Sequence, residues 1–214
     1  MHGKTAIAPK PAAPGRPKDM GKRSAILDAA RRLFATLGFD GASMDQIAAE
    51  AGVSKLTVYS HFGDKETLFV EVVKSYCEQQ LPDSLFQVQP EVPLRERLLK
   101  VAKAFFTMVS APEAVAGHRI LCSPRMVDSS LPQLFWEAGP QRVQEAFADL
   151  LERRTIAGEL AIDDIPRAAA QFFTLLKGEP HARMIFGCCT MQRQDAEQHL
   201  AATVDLFLRA YAPR

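Results

Sequence analysis

Two short helices separated by a glycine turn constrain this chain more than any other feature of its sequence. Ser43 with Gln46 three residues later forms a capping box, which predicts the start of a helix. Gly52 ends that helix, and Ser54 caps another that runs to about Phe62. This spacing is typical of a helix-turn-helix unit, whose second helix has the right size for the major groove of DNA.

The second helix of this unit has an inward and an outward face. Val58 and Phe62 lie four residues apart and are predicted to point toward a core. Leu56 and Ser60 fall on the opposite side of the helix. An exposed leucine on so short a helix fits a contact with the methyl group of thymine. The outward face therefore favours DNA bases as its partner.

The rest of the chain also follows helical spacing, and strand alternation is nowhere convincing. The first helix is expected from Ser24 to a stop at Gly38, and Asp64 caps a fourth helix from Lys65 to about Gln80. Further helices are expected from Leu94 and from Glu113 to about Val127. Another begins near Pro132 and reaches about Ala157, with an interruption at Gly139-Pro140. The last two are expected at Ile165–Gly187, with a kink at Gly178 and Pro180, and at Asp195–Tyr211. The predicted fold class is therefore all-α, with a three-helix N-terminal unit followed by a larger helical one.

Charge is concentrated at the N-terminal end, although the formal net charge is only +1. Residues 1–35 hold eight Lys or Arg and two Asp, a net of +6, whereas residues 71–214 hold 16 basic and 18 acidic residues, a net of −2. Four prolines in residues 1–22 indicate a disordered basic arm. Its GRPKD motif presents Arg16, which suits a narrow minor groove. A solvated leader or expression tail is the alternative interpretation of this arm.

Several function classes find no support in the sequence. No apolar run approaches the roughly 18 residues of a membrane helix, and the arm lacks the apolar region of a secretory signal. Five scattered His do not form a metal-ligand pattern, and no catalytic or nucleotide-binding motif is present, so neither metal nor cofactor is expected. Adjacent Cys188 and Cys189 are interpreted as inert thiols, with a redox or electrophile sensor as the alternative. Reduced thiols and a cytoplasmic location are the default.

A long segment resembles the TetR family of bacterial transcription regulators. The resemblance lies in Ile26–Phe69, ILDAARRLFATLGFDGASMDQIAAEAGVSKLTVYSHFGDKETLF, and is densest in its VSxxTVYxHFxxKExLF pattern. It implies that residues 23–69 are a DNA-binding domain. Ser43 and Lys65 would bind phosphates, Tyr59 and His61 would reach the DNA backbone, and Lys55, Leu56, Thr57 and Ser60 would face base edges. The cap residue Ser54 and Arg16 complete the predicted DNA-binding set.

The C-terminal part resembles a narrower branch, the AefR-like regulators. The segments that carry this resemblance are PQLFWEAGPQRV (132–143) and FFTLLKGEPHARMIFG (172–187). The family resemblance implies that residues 70–214 bind an effector and dimerise through the last two helices. The predicted interface residues are Leu175, Met184, Leu200, Val204, Phe207, Leu208 and Tyr211, with packing inside one chain as the alternative.

The same resemblance implies a small-molecule pocket in the C-terminal part. The predicted wall residues are Phe105, Phe106, Met108, His118, Cys122, Met126, Trp136, Phe172 and Phe173, with His118, Arg119, Arg125 and His181 as polar anchors. The alternative for each apolar residue is an ordinary core position. Trp136, beside Gly139-Pro140, is the preferred single candidate.

These observations together predict a DNA-binding transcriptional regulator. The specific hypothesis is a homodimeric repressor that a small apolar or amphipathic effector releases from a palindromic operator. One alternative is a DNA-binding regulator without a small-molecule ligand, either an activator or a protein-controlled switch. A remote alternative is an enzyme on a helical scaffold. DNA binding separates the enzyme from the two regulators, and ligand-dependent loss of binding separates the regulators from each other.

Overall fold

The structure is a computed structural model, which describes residues 19–87, 91–188 and 193–213. Every regular element in these ranges is helical, so the predicted all-α class is confirmed. The helices are α1 (Met20–Gly41), α2 (Met44–Glu50), α3 (Lys55–Phe62), α4 (Lys65–Gln80), α5 (Leu94–Ser110), α6 (Pro112–Leu121), α7 (Leu131–Trp136), α8 (Arg142–Ile156), α9 (Ile165–Phe186) and α10 (Arg193–Ala210). Short 3₁₀ turns span Asp83–Leu85 and Pro124–Met126, and a π-helical turn spans Glu137–Gln141.

The caps expected in the N-terminal unit are present. The backbone N–H of Ser43 donates to Gln46 Oε1 at 2.8 Å, and the backbone N–H of Gln46 donates to Ser43 Oγ at 3.2 Å. The side chains of Ser54 and Asp64 cap α3 and α4 by accepting the backbone N–H groups of Thr57 and Thr67. Helix α1 begins at Met20, four residues before the expected Ser24, because the Asp19 carboxylate accepts the N–H groups of its first turn. Residues 20–22, assigned to the arm from the sequence, therefore belong to this helix, and Asp19 is its N-cap.

Helices α1 to α4 enclose one hydrophobic core, and α5 to α10 enclose a larger one. The first core contains the fully buried Ile26, Ile47 and Leu68. In the second, the Phe172 ring stacks on Phe147 with ring centroids 4.6 Å apart. Helix α5 packs on α9 and α10, and α8 packs on α9. The two units contact each other mainly through α1 against α6 and through α4 against the π-helical turn, α5 and α7.

The middle of the chain departs from two sequence expectations. Helix α6 ends at Leu121 instead of near Val127, and Pro124 starts a separate 3₁₀ turn because its ring cannot continue the helix. Gly139-Pro140 does not interrupt the helix, since a π-helical turn carries the chain from α7 into α8. Glycine lets this turn pack closely on α4, because a Cβ at position 139 would lie 3.0 Å from Val73 Cγ1.

The kink expected in α9 is present. Gly178 adopts φ +46°, a conformation that favours glycine, and Pro180 follows two residues later. Because proline has no N–H, the carbonyl of Leu176 loses its helical donor. His199 Nε2 lies 3.0 Å from that carbonyl and donates to it from α10. The kink therefore frees a carbonyl that accepts a hydrogen bond from α10 where it packs on α9.

Candidate DNA interface and effector cavity

Helix α3 presents the two faces that its sequence predicts. Val58 and Phe62 are buried, whereas Leu56 is 78% exposed. Ser60 and Tyr59 are exposed beside it. An apolar side chain this open, on a helix that carries hydroxyls and a lysine, forms a surface that can meet base edges and phosphates.

The polar groups of α3 are held by neighbours within the chain. The Lys55 ammonium pairs with Asp45 at 2.8 Å, and this carboxylate raises the pKa of the lysine. The Ser54 and Thr57 hydroxyls lie 2.8 Å apart, and Ser60 Oγ donates to the Thr57 carbonyl at 2.8 Å. These contacts orient the groups, and DNA binding would exchange some of them for contacts with bases or phosphates.

Lys65 has a structural position that the sequence did not reveal. Its ammonium donates to the carbonyls of Phe39 at 2.8 Å and Ala42 at 3.2 Å, and it lies 4.3 Å from the Phe39 ring centroid. These carbonyls end α1, so Lys65 ties α4 to the end of that helix. His61 is half-buried beside the Phe62 ring. Arg16 lies outside the described residues.

A cavity of about 180 Å³ lies where the two helical units meet. Helices α1 and α4 supply Phe34, Phe39, Phe69 and Tyr76 to its wall. The C-terminal helices supply five of the nine predicted pocket residues, namely Phe105, Met108, His118, Trp136 and Phe173. The wall contributed by α1 and α4 was missed, because periodicity within one helix does not show which distant helix faces it.

The other four predicted pocket residues lie elsewhere. Phe172 is enclosed by other aromatic rings of the C-terminal core, and Phe106 packs near His199. Met126 is buried outside the cavity wall, and Cys122 is exposed at the end of α6. These four residues therefore do not line this cavity, because an apolar helix face can pack against a neighbouring helix instead of an open space.

The polar groups that line the cavity are few: Arg31, Tyr76, Glu113, His118, Gln144 and Lys177. His118 Nδ1 lies 2.9 Å from the Ala114 carbonyl and donates to it, and burial lowers the pKa of this ring. Tyr76 donates its hydroxyl to the Met108 carbonyl at 3.2 Å. Burial also lowers the pKa of Lys177, which lines the cavity but was not singled out from the sequence. A lysine four residues after Phe173, on the apolar side of α9, was the available signal.

The remaining predicted anchors have other positions. Arg119 donates from Nε to the Ile185 carbonyl and from Nη2 to the Met184 carbonyl, both at 2.7 Å, so it caps α9. His181 is buried next to His118, with ring centroids 5.2 Å apart, and burial lowers its pKa to about 4. The Arg125 side chain lies outside the described part of the structure.

The predicted dimer residues divide into two groups. Leu200, Val204 and Phe207 are buried in the core of their own chain and offer no surface to a partner, so their assignment to an interface was wrong. Leu175 is exposed, while Met184, Leu208 and Tyr211 are partly buried. The structure adds two exposed apolar residues on α9 and α10, Phe186 at 79% and Leu206 at 48% exposure.

The other chemical features support no additional site. Cys188 is exposed, and Cys189 lies outside the described ranges. Within those ranges, no group of three or more His, Cys, Asp or Glu is placed to hold a metal ion. The helices described here are not long and apolar enough to cross a membrane.

Two family models together match most of the chain. The model of bacterial regulatory proteins of the tetR family matches residues 26–72, and the model of the AefR-like transcriptional repressor C-terminal domain matches residues 96–213. The chain belongs to the TetR family. It is therefore a DNA-binding transcriptional regulator and not an enzyme, as the helix-turn-helix predicted. Its C-terminal domain is of the AefR-like type.

Solved structures share this architecture over nearly their whole length. The flavonoid-responsive regulator FrrA is 33% identical, with 92% of this chain and 100% of that chain covered and a TM-score of 0.72. A putative TetR-family regulator from Mesorhizobium loti is 29% identical, with 92% and 99% covered and a TM-score of 0.77. The transcriptional activator FasR of Mycolicibacterium smegmatis is 27% identical over 132 residues, which are 62% of this chain and 59% of FasR. The alignment thus spans less than two thirds of that activator.

Proposed function

We propose that this TetR-family regulator is a cytoplasmic homodimeric repressor that a small aromatic or amphipathic molecule releases from a palindromic operator. The observation that carries the proposal is the position of the cavity. Its wall is shared by α1 and α4 of the DNA-binding unit and by helices of the C-terminal unit. An occupant therefore contacts the helices that position α3 and the helices of the effector domain at the same time.

Release requires that the ligand bind the DNA-free arrangement more tightly than the operator-bound one. Phe34 and Phe69 line the cavity from α1 and α4, so a shift of either helix changes its shape. Gly38 of α1 also lies beside Ile120 of α6, with 3.8 Å between Ile120 Cδ1 and an ideal Cβ built on the glycine. A ligand's contacts in the cavity would therefore depend on the positions of α1 and α4, which also determine the position of α3.

The walls of the cavity favour an aromatic ligand. They contain many aromatic rings and few polar groups, a composition that suits a flat amphipathic molecule. FrrA, the most identical of the three relatives described above, is named for its response to flavonoids. The repressor description of the matched C-terminal family supports repression, and the activator FasR keeps activation as the second candidate.

The exposed apolar residues of α9 and α10 support a two-fold dimer. Leu206 and Phe186 would be covered by a second copy, which would place two α3 helices in successive major grooves about 34–36 Å apart. Leu206→Glu should yield monomers in sedimentation and lose operator affinity. Ile156→Glu, which changes an exposed residue at the end of α8, is the matched control and should stay dimeric.

The test of ligand release uses a variant that fills the cavity. Gly117 lines the cavity from α6, and a Cβ at this position meets nothing within 4 Å. Gly117→Leu should therefore fold, bind the operator and resist release, while Gly117→Ala should respond like the unmodified protein. Binding would be followed by anisotropy on the DNA upstream of the regulator's own gene, with random DNA as control and naringenin as the flavonoid probe.

A preference over random DNA of about a thousandfold at physiological salt would establish a specific operator. Release by naringenin that is lost in Gly117→Leu and kept in Gly117→Ala would support the proposal. Release that persists unchanged in Gly117→Leu would show that the effector acts from another place. If aromatic ligands occupy the cavity without changing operator affinity, the regulator without a small-molecule effector is the better description.

A further inference from the structure

One part of the cavity carries a lysine that lacks an acidic partner. Lys177 lines the cavity and is half-buried on the apolar side of α9. The ion pairs found among the described residues do not include it. An ammonium withdrawn from water without a partner is unfavourable. An occupant that presents a hydrogen-bond acceptor to Lys177 would offset that cost.

Two imidazoles belong to the same region, and the Lys177 charge acts on both of them. His118 lines the cavity, and its Nδ1–H is used by the Ala114 carbonyl, so Nε2 is the acceptor of the neutral ring. His181 lies next to it outside the wall, with a buried Nε2 that has no hydrogen-bond partner. Burial and the Lys177 charge lower the pKa of both rings, which favours their neutral forms. The cluster of Lys177, His118 and His181 thus combines a cationic donor with neutral acceptors.

We propose that the Lys177–His118 pair binds the acidic hydroxyl of a phenol, with His181 as a positioning residue behind His118. This inference rests on the cavity being the ligand site proposed above, and it names the ligand class. A phenol can donate its O–H to His118 Nε2 while its oxygen accepts from the Lys177 ammonium. A carboxylate can only accept and would face the imidazole lone pair. A purely apolar ligand would leave the Lys177 ammonium and His118 Nε2 without a partner.

The aromatic rings of the wall fit the remainder of such a ligand. The Phe135 ring meets the His118 ring edge to face, with centroids 5.6 Å apart, and Phe173 precedes Lys177 by one helical turn. An aromatic ring whose hydroxyl reaches Lys177 would therefore contact apolar rings on its faces. Lys177 would stabilise the phenolate form and lower the pKa of the bound hydroxyl. The proton that the phenol gives up would pass to His118 Nε2, which would then donate to the phenolate oxygen; a carboxylate brings no such proton.

The probe for this inference is 7-hydroxycoumarin, whose phenol and phenolate forms differ in absorbance and emission. Titration with the full-length protein below the pKa of the free probe should increase the phenolate signal. 7-Methoxycoumarin, which keeps the ring and loses the acidic proton, should bind about tenfold or more weakly. Equal binding of the two compounds, or tighter binding of coumarin-3-carboxylate than of 7-hydroxycoumarin, would overturn the proposal.

Variants assign the signal to the cluster. Lys177→Met should abolish the phenolate signal and weaken 7-hydroxycoumarin binding about tenfold to a hundredfold, with little effect on 7-methoxycoumarin. Lys177→Arg should restore the signal. Lys100→Met on α5 is the matched control, since Lys100 is exposed and paired with Glu96 at 2.9 Å. A phenolate signal that persists in folded Lys177→Met would contradict the assignment.

If Lys177→Met does not fold, as judged by circular dichroism, His118→Phe provides an independent test. It keeps an aromatic ring and removes the acceptor, so the preference for 7-hydroxycoumarin over 7-methoxycoumarin should disappear; an unchanged preference would count against the proposal. Operator release is measured separately. Phenol binding without release would refute ligand-released repression alone, whereas release by apolar compounds with no preference for a hydroxyl would refute the phenol site alone.

Discussion

Lys65→Met tests whether this lysine mainly holds the DNA-binding unit together. Two of its three ammonium protons are donated to the carbonyls of Phe39 and Ala42, at 2.8 and 3.2 Å, and the charge lies 4.3 Å from the Phe39 ring centroid. Hydrogen bonds from charged groups contribute about 1.5–3 kcal/mol, and a cation–π contact adds about 0.5–1 kcal/mol. Allowing for solvent access to a half-buried group, we expect a loss of about 2–3 kcal/mol in unfolding free energy.

The assay is thermal and urea unfolding followed by circular dichroism at one fixed protein concentration. A loss of this size corresponds to a decrease in Tm of roughly 4–12 °C for a chain of this length. Lys22→Met is the matched control, because Lys22 is exposed and its ion pair with Asp19 is long, at 4.0 Å. This variant should change the free energy of unfolding by less than about 0.5 kcal/mol. Equal stability of Lys65→Met and Lys22→Met would refute the structural role.

The third proton of Lys65 leaves room for the phosphate contact that the family resemblance implies. If that contact forms, Lys65→Met should also reduce the slope of log affinity against log salt by about one per protomer. The salt series therefore separates the two roles, because a purely structural change weakens binding without altering the number of counterions released. An unchanged slope with reduced stability would remove Lys65 from the DNA-contacting set.

Three further predictions use single residues. Leu56→Ala should weaken operator binding by about 1–3 kcal/mol and relax base preference at one position in each half-site, as measured by competition with substituted operators. Gly139→Ala should destabilise the fold by about 1–3 kcal/mol in urea unfolding, because its Cβ would lie 3.0 Å from Val73 Cγ1, whereas Gly117→Ala should not destabilise it. The pKa of His181 is lowered to about 4 in the folded state, against about 6.5 when unfolded. Between these values only the unfolded chain binds the proton, so the stability associated with the neutral ring is complete above pH 6.5 and is lost as the pH falls toward 4. About 2 kcal/mol of this effect should be gone at pH 5, and His181→Phe should lack that part of the pH dependence.

The helix-turn-helix was predictable because its signals are local. The capping box at Ser43, the caps at Ser54 and Asp64 and the positive φ of Gly52 involve residues within a few positions of each other. Each local choice agrees with the same fold, which is why short-range patterns sufficed. The missed start of α1 at Met20 was also a local signal, since Asp19 is a standard capping residue.

The cavity was only partly predictable because its walls depend on distant packing. Phe172 and Phe173 are adjacent and equally apolar, yet the first is enclosed by core rings and the second lines the cavity. Successive residues on a helix point about 100° apart, and periodicity does not say which direction meets a void. The same limit made Val204 and Phe207 resemble interface residues, although they pack in the core of their own chain.

Ligand-released repression also requires a reciprocal effect, which can be measured without knowing the natural effector. If a saturating ligand weakens operator binding a hundredfold, the coupling free energy is about 2.7 kcal/mol, and operator DNA must weaken ligand binding by the same factor. The shared wall of the cavity offers a short route for such coupling, because Phe34 and Phe69 belong to α1 and α4, which enclose one core with α3. Affinity of 7-hydroxycoumarin measured with and without saturating operator should therefore differ by the factor found for release. An operator that leaves the probe's affinity unchanged would show that occupation of this cavity is not what releases the DNA.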